Sequence, residues 1–197
     1  MQGSQLIQQP VEHIACVISR RNSSHSSAYF MHALVEPLYV STDVWQETMA
    51  VRLGQATGNS YWPAFETLDA GAESMARLVG LIKSEALPYF LRYGDLEGYH
   101  RLCEEFHQGR DVINPNILWS QAATELMAEQ HVEAMATLHQ IRRVVDADDD
   151  PAPWMLQIAK DADACHTLIG SDAAAARRSL LETEQKMRTR FKLPLAP

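Results

Sequence analysis

A change in the spacing of apolar residues divides this chain into an extended part and a helical part. Residues 11–20 and 28–40 are rich in β-branched and aromatic side chains, and they flank a polar, Ser-rich segment at residues 21–27. Two such runs around a polar loop are typical of an antiparallel β-hairpin. Residues 49–53, just before Gly54, are a candidate third strand. The N-terminal part is therefore predicted to form a short antiparallel sheet.

Beyond residue 66 the apolar residues recur with the period of an α-helix. The first helix is predicted to have an apolar face formed by Ala72, Met75, Val79 and Ile82. Asn114 followed by Pro115 is an N-cap residue with proline at the first helical position, which predicts the start of another helix. The next predicted helix, centred near Leu138, begins only a few residues after this one ends. The two helices should therefore form an antiparallel hairpin.

A further helix is predicted after Pro151, with Gly170 as a stop and Ser171 or Asp172 as the cap of a last helix. Trp119 and Trp154 recur at a spacing close to that of helical-hairpin repeats. Because the second helices do not keep that spacing, ordinary helix hairpins sharing one core are favoured over a repeat array.

The predicted fold class is α+β. It comprises an N-terminal β-hairpin or three-stranded sheet at residues 1–54, a connection at residues 55–66, and a mostly antiparallel bundle of helix hairpins at residues 67–192. With 197 residues, of which 46% are hydrophobic, the chain is long enough to bury one core, so a single domain over residues 1–197 is expected.

The charge balance restricts the partners of this chain. Its formal net charge is −8, so it repels phosphate backbones, and nucleic acid is not an expected partner. Opposite charge favours a basic protein partner.

Cysteine use and hydropathy predict a cytoplasmic protein. Cys16, Cys103 and Cys165 are odd in number and widely spaced, which argues against a disulfide framework. The polar N-terminus does not have the pattern of a signal peptide, and no apolar run reaches the ~18 residues of a membrane span.

Three residues on one predicted helix are of metal-binding types. His100, Cys103 and His107 share a face, and Glu104 lies beside them. Three ligands spread over two helical turns seldom converge on one metal ion without a fourth ligand from elsewhere. Cys103 also fits the apolar face of its own helix. A half-buried structural face is therefore the favoured interpretation, and neither a metal nor another cofactor is predicted.

Five residues near the sheet are candidates for binding a ligand or a partner: His13, His32, Trp45, Tyr61 and Trp62. His13 and His32 lie on neighbouring predicted strands, and Glu36 shares the face of His32, so a histidine–carboxylate pair is available there. The three aromatic residues lie in or beside predicted loops, where they can either contact a partner or cover the sheet.

These features favour a non-enzymatic protein-interaction module over an enzyme. No nucleophile turn or phosphate-binding glycine loop is present. One specific version is an acidic immunity or antagonist protein that neutralises a basic partner. The alternative is an enzyme or small-ligand protein with its site between the sheet and the helices. Pairing of an exposed sheet edge with a second copy, giving a homodimer, is a further prediction.

Overall fold

The computed structural model describes residues 5–22, 29–41, 47–55, 58, 68–110 and 112–194, with side chains from residue 71 onward in the first helix. These residues form an antiparallel sheet followed by helices, which confirms the α+β class. Four strands lie in the order in which they occur along the chain: β1 (Gln5–Ile7), β2 (Ile14–Asn22), β3 (Tyr29–Pro37) and β4 (Val51–Arg52).

The three predicted strands are confirmed, and β1 is an addition. β1 pairs with β2 so that Leu6 lies opposite Ile18, and β4 pairs with β3 so that Arg52 lies opposite His32. The first six residues of β2 are all buried, as expected for an interior strand covered on both faces. The two outer strands of the described sheet have three and two residues.

The helices follow the predicted order. They are α1 (Leu68–Leu81), a π-helical turn (Ile82–Ala86), α2 (Leu87–Tyr93), α3 (Leu96–His107), α4 (Pro115–Met127), α5 (His131–Asp146) and α6 (Pro153–Phe191). No described helix combines the length and the apolar character that a membrane crossing requires.

Two predicted helix caps are confirmed. The side chain of Asn114 accepts a hydrogen bond from the Asn116 backbone N–H at 2.9 Å, and Pro115 is the first residue of α4. α6 is kinked at Asp172, whose φ and ψ are −155° and 86°. The Asp172 carboxylate accepts from the Ala175 N–H at 2.9 Å, so it caps the second half of α6.

The chain divides into two compact units. The first contains β1, β2, β4, most of β3, α1 and α2. The second contains α3–α6 and the short segment that follows β3. The division falls at Asp95 and Leu96, so α1 and α2 belong with the sheet. A single domain over all 197 residues stays a prediction.

Gly94 fixes the end of α2 against the sheet within the first unit. A Cβ atom at this position would lie 2.5 Å from the Phe90 carbonyl oxygen and 2.7 Å from the Cys16 sulfur. Real Cβ atoms do not approach other atoms so closely. Only glycine therefore lets α2 end in contact with β2.

The second unit is a packed helical assembly. α4 and α5 are separated by three residues and pack against each other, which confirms the predicted antiparallel hairpin. α4 also packs against α3 and α6. Ten of its thirteen residues are buried, so α4 is the central helix of this unit.

Candidate functional site

The predicted apolar face of α1 is largely exposed in the structure. Met75 is 59% exposed and Val79 is 42% exposed, while Ala72 is exposed and Ile82 is half-buried. Of the α1 side chains that the structure describes, at residues 71–81, none is buried. The predicted helix is confirmed, and most of its apolar face lies at the surface.

The part of this helix beyond α1 is, by contrast, firmly attached to the sheet. Tyr89 and Phe90 are buried, and the Tyr89 hydroxyl donates to the Met49 carbonyl oxygen at 2.8 Å. Glu85 accepts a hydrogen bond from the Gly54 backbone N–H at 2.8 Å. The π turn and α2 therefore hold the helix in the first unit, and α1 projects its apolar side chains from that support.

The π turn keeps the exposed apolar residues of α1 and α2 on one side. Leu87 is 39% exposed and Leu91 is 82% exposed. In a regular α-helix, Leu91 would be rotated by about 160° from Met75, because each residue turns by about 100°. A π turn takes up one extra residue, which reduces this rotation to about 60°. Met75, Val79, Leu87 and Leu91 thus form one line of exposed residues, here called the apolar stripe.

The stripe lies on an electrically neutral helix in an acidic protein. Residues 68–93 contain three acidic side chains (Asp69, Glu73, Glu85) and three basic ones (Arg77, Lys83, Arg92), whereas the whole chain has a formal net charge of −8. Lys83 is exposed and occupies the four-residue step between Val79 and Leu87. An exposed cation therefore separates Met75 and Val79 from Leu87 and Leu91 along the helix.

His32, one of the predicted binding residues, lies in a cluster of polar side chains together with Arg21 of β2 and Glu47. Its Nδ1 lies 3.2 Å from Glu47 Oε2, outside hydrogen-bond alignment, and Arg21 forms an ion pair with the other oxygen of Glu47. Glu47 is therefore the carboxylate beside His32. Glu36, which the sequence made available for that pairing, is itself buried. His13 is half-buried just ahead of β2.

The three aromatic candidates, Trp45, Tyr61 and Trp62, lie outside the described residues. Their role stays a prediction, as does the ligand-site alternative that depends on them.

Of the three metal-type residues in a row on α3 (His100, Cys103 and His107), His100 contacts α4. His100 Nε2 lies 2.9 Å from Glu125 Oε1, and Gln121 donates to the same oxygen at 3.0 Å. Cys103 is fully buried, and His107 lies farther along α3. Within the described part of the chain, no three His, Cys, Asp or Glu residues are grouped so that they could hold a metal ion.

Burial and hydrogen bonding control the protonation of this row. The hydrogen bond to Glu125 raises the pKa of His100 although partial burial opposes the shift. Burial raises the pKa of the Cys103 thiol, with a smaller contribution from Glu125, so the reactive thiolate is disfavoured. Burial lowers the pKa of His107. His100 therefore forms a contact between α3 and α4, and a structural role for all three residues stays a prediction.

A groove of about 670 Å³ lies in the second unit along the C-terminal part of α6. Lys186 and Arg190 are its cationic side chains, and Ser41 contributes from outside the helix. A cation near the C-terminal end of a helix interacts favourably with the helix dipole. This interaction explains the position of Arg190 in the last turn of α6, and no bound ligand is needed to explain it.

No family model, curated protein or solved structure matches this chain. Function is therefore inferred from the surfaces and contacts of the chain itself, and the inference starts from the line of exposed apolar residues on α1 and α2.

Proposed function

We propose that this protein acts by binding another protein chain through the apolar stripe of α1 and α2. The single observation that carries this proposal is the exposure of Met75, Val79, Leu87 and Leu91 on one side of a helix. Exposed apolar groups arranged contiguously mark interaction surfaces in soluble proteins, whereas isolated ones need no explanation. An amphipathic helix that presents residues at four-residue steps is a recurring element of protein recognition.

Burial of these side chains provides the driving force. Each large aliphatic side chain that passes from water into an interface contributes up to about 1.5–3 kcal/mol. Binding through such a surface depends little on salt, because the contribution is not electrostatic.

An acidic antagonist that neutralises a basic partner is the more specific version of this proposal, supported by the net charge of −8. Salt separates the two modes of binding. A complex held by exposed opposite charges weakens as ionic strength rises, since such charges are screened over about 8 Å at physiological salt. A complex held by the apolar stripe persists.

The test is site-specific photo-crosslinking from Val79 in the native host, followed by mass spectrometry. We expect a covalent protein product that survives high salt and is lost in the variant Met75→Asp/Leu91→Asp. Val132 provides the matched control, because it is 75% exposed but lies on α5 in the second unit. Val132→Asp should leave the product unchanged. A product formed equally from the double variant would contradict the proposal.

A further inference from the structure

We draw no further inference here: the strongest candidate, the groove along the C-terminal part of α6, is lined in the described part of the chain by this one helix and Ser41, and none of its described polar side chains is buried, so nothing in the structure indicates a ligand.

Discussion

Helices α1 and α4 are nearly equal in length and both rich in apolar residues, yet they differ completely in burial. α4 has thirteen residues, ten of which are buried between α3, α5 and α6. α1 has fourteen residues, and none of its described side chains, at residues 71–81, is buried. Apolar periodicity therefore identifies a helix and its apolar face. It does not determine whether the same chain supplies the surface that covers that face.

Buried polar groups of the second unit are paired in part. His107 Nε2 and Glu125 Oε2 are buried without a hydrogen-bond partner among the described residues, whereas Tyr39 and Thr124 are paired. Tyr39 donates to the Thr124 hydroxyl at 2.8 Å, and Thr124 donates to the Ser120 carbonyl oxygen at 2.7 Å. Burial is the main cause that raises the pKa of Tyr39, so the hydroxyl keeps its proton.

The largest effect is expected from the buried ion pair of α6. Glu184 and Arg188 are 1% exposed, and the Arg188 guanidinium donates to the Glu184 carboxylate at 2.8–2.9 Å. Glu184→Ala leaves a buried charge without its counterion and should lower the free energy of unfolding by about 3–5 kcal/mol. Urea denaturation measures this loss. Glu182→Ala, at an exposed neighbouring site, should change it by less than about 0.5 kcal/mol. Equal losses in the two variants would show that the second unit is not tightly packed there.

Leu126 and Val79 compare the two helices directly. Leu126→Ala opens a cavity in the second unit and should cost about 2–5 kcal/mol. Val79→Ala should cost less than about 0.5 kcal/mol in dilute protein, because Val79 is exposed. Urea denaturation at low protein concentration provides both values. A large loss for Val79→Ala would mean that the chain covers α1 itself, and the comparison would fail.

Two glycines of the first unit, Gly94 and Gly80, test whether α2 is packed and α1 is exposed. Gly94→Ala places a methyl group against Phe90 and Cys16 and should cost about 1–3 kcal/mol. Gly80→Ala meets no atom within 4 Å and should stabilise α1 by about 0.5–1 kcal/mol in dilute protein. Thermal unfolding should therefore shift in opposite directions for the two variants. A destabilising Gly80→Ala would argue that α1 is packed.

The smallest expected effect is a dependence of folding stability on pH, which arises from His100. Its pKa in the folded state is raised because it hydrogen-bonds Glu125, so the protonated form is favoured by folding. The resulting stability is fully present below the unfolded-state pKa of about 6.5 and is lost as pH rises through the folded-state pKa. The stability advantage of wild type over His100→Gln should therefore shrink from pH 6 to pH 8.5. His139→Gln, at an exposed site, is the control. An advantage that grows with pH would contradict the assigned hydrogen bond.

Local signals explain which parts of the fold could be predicted. Asn114, Pro115 and Asp172 define helix starts through their own backbone chemistry, so their roles can be read from the sequence alone. β1 could not be predicted because its three residues lie in a polar, Gln-rich segment and are extended only through pairing with β2. Strand formation there depends on tertiary contact instead of local preference.

The candidate site was harder to predict because its defining property is solvent exposure, which depends on how the rest of the chain packs around the helix. The sequence identified Met75 and Val79 as one face of a helix, but it could not show that this face is exposed. One available signal was the continued four-residue spacing through Lys83, Leu87 and Leu91. Such a spacing drifts around a regular helix, so its persistence indicates an extra residue in one turn. The pairing of His32 with Glu47 depends on a chain reversal that no local pattern specifies.

The π turn also makes the helix unusually sensitive to a change in its length. Deleting one residue between Ile82 and Ala86 would convert the turn to regular α-helix while leaving every apolar residue in place. If α2 kept its contacts with the sheet, α1 would then rotate by about 100° about its axis. A single-codon deletion could thus redirect the proposed binding surface without altering the chemistry of any residue on it. Conversely, substitutions at the same positions would leave its direction intact.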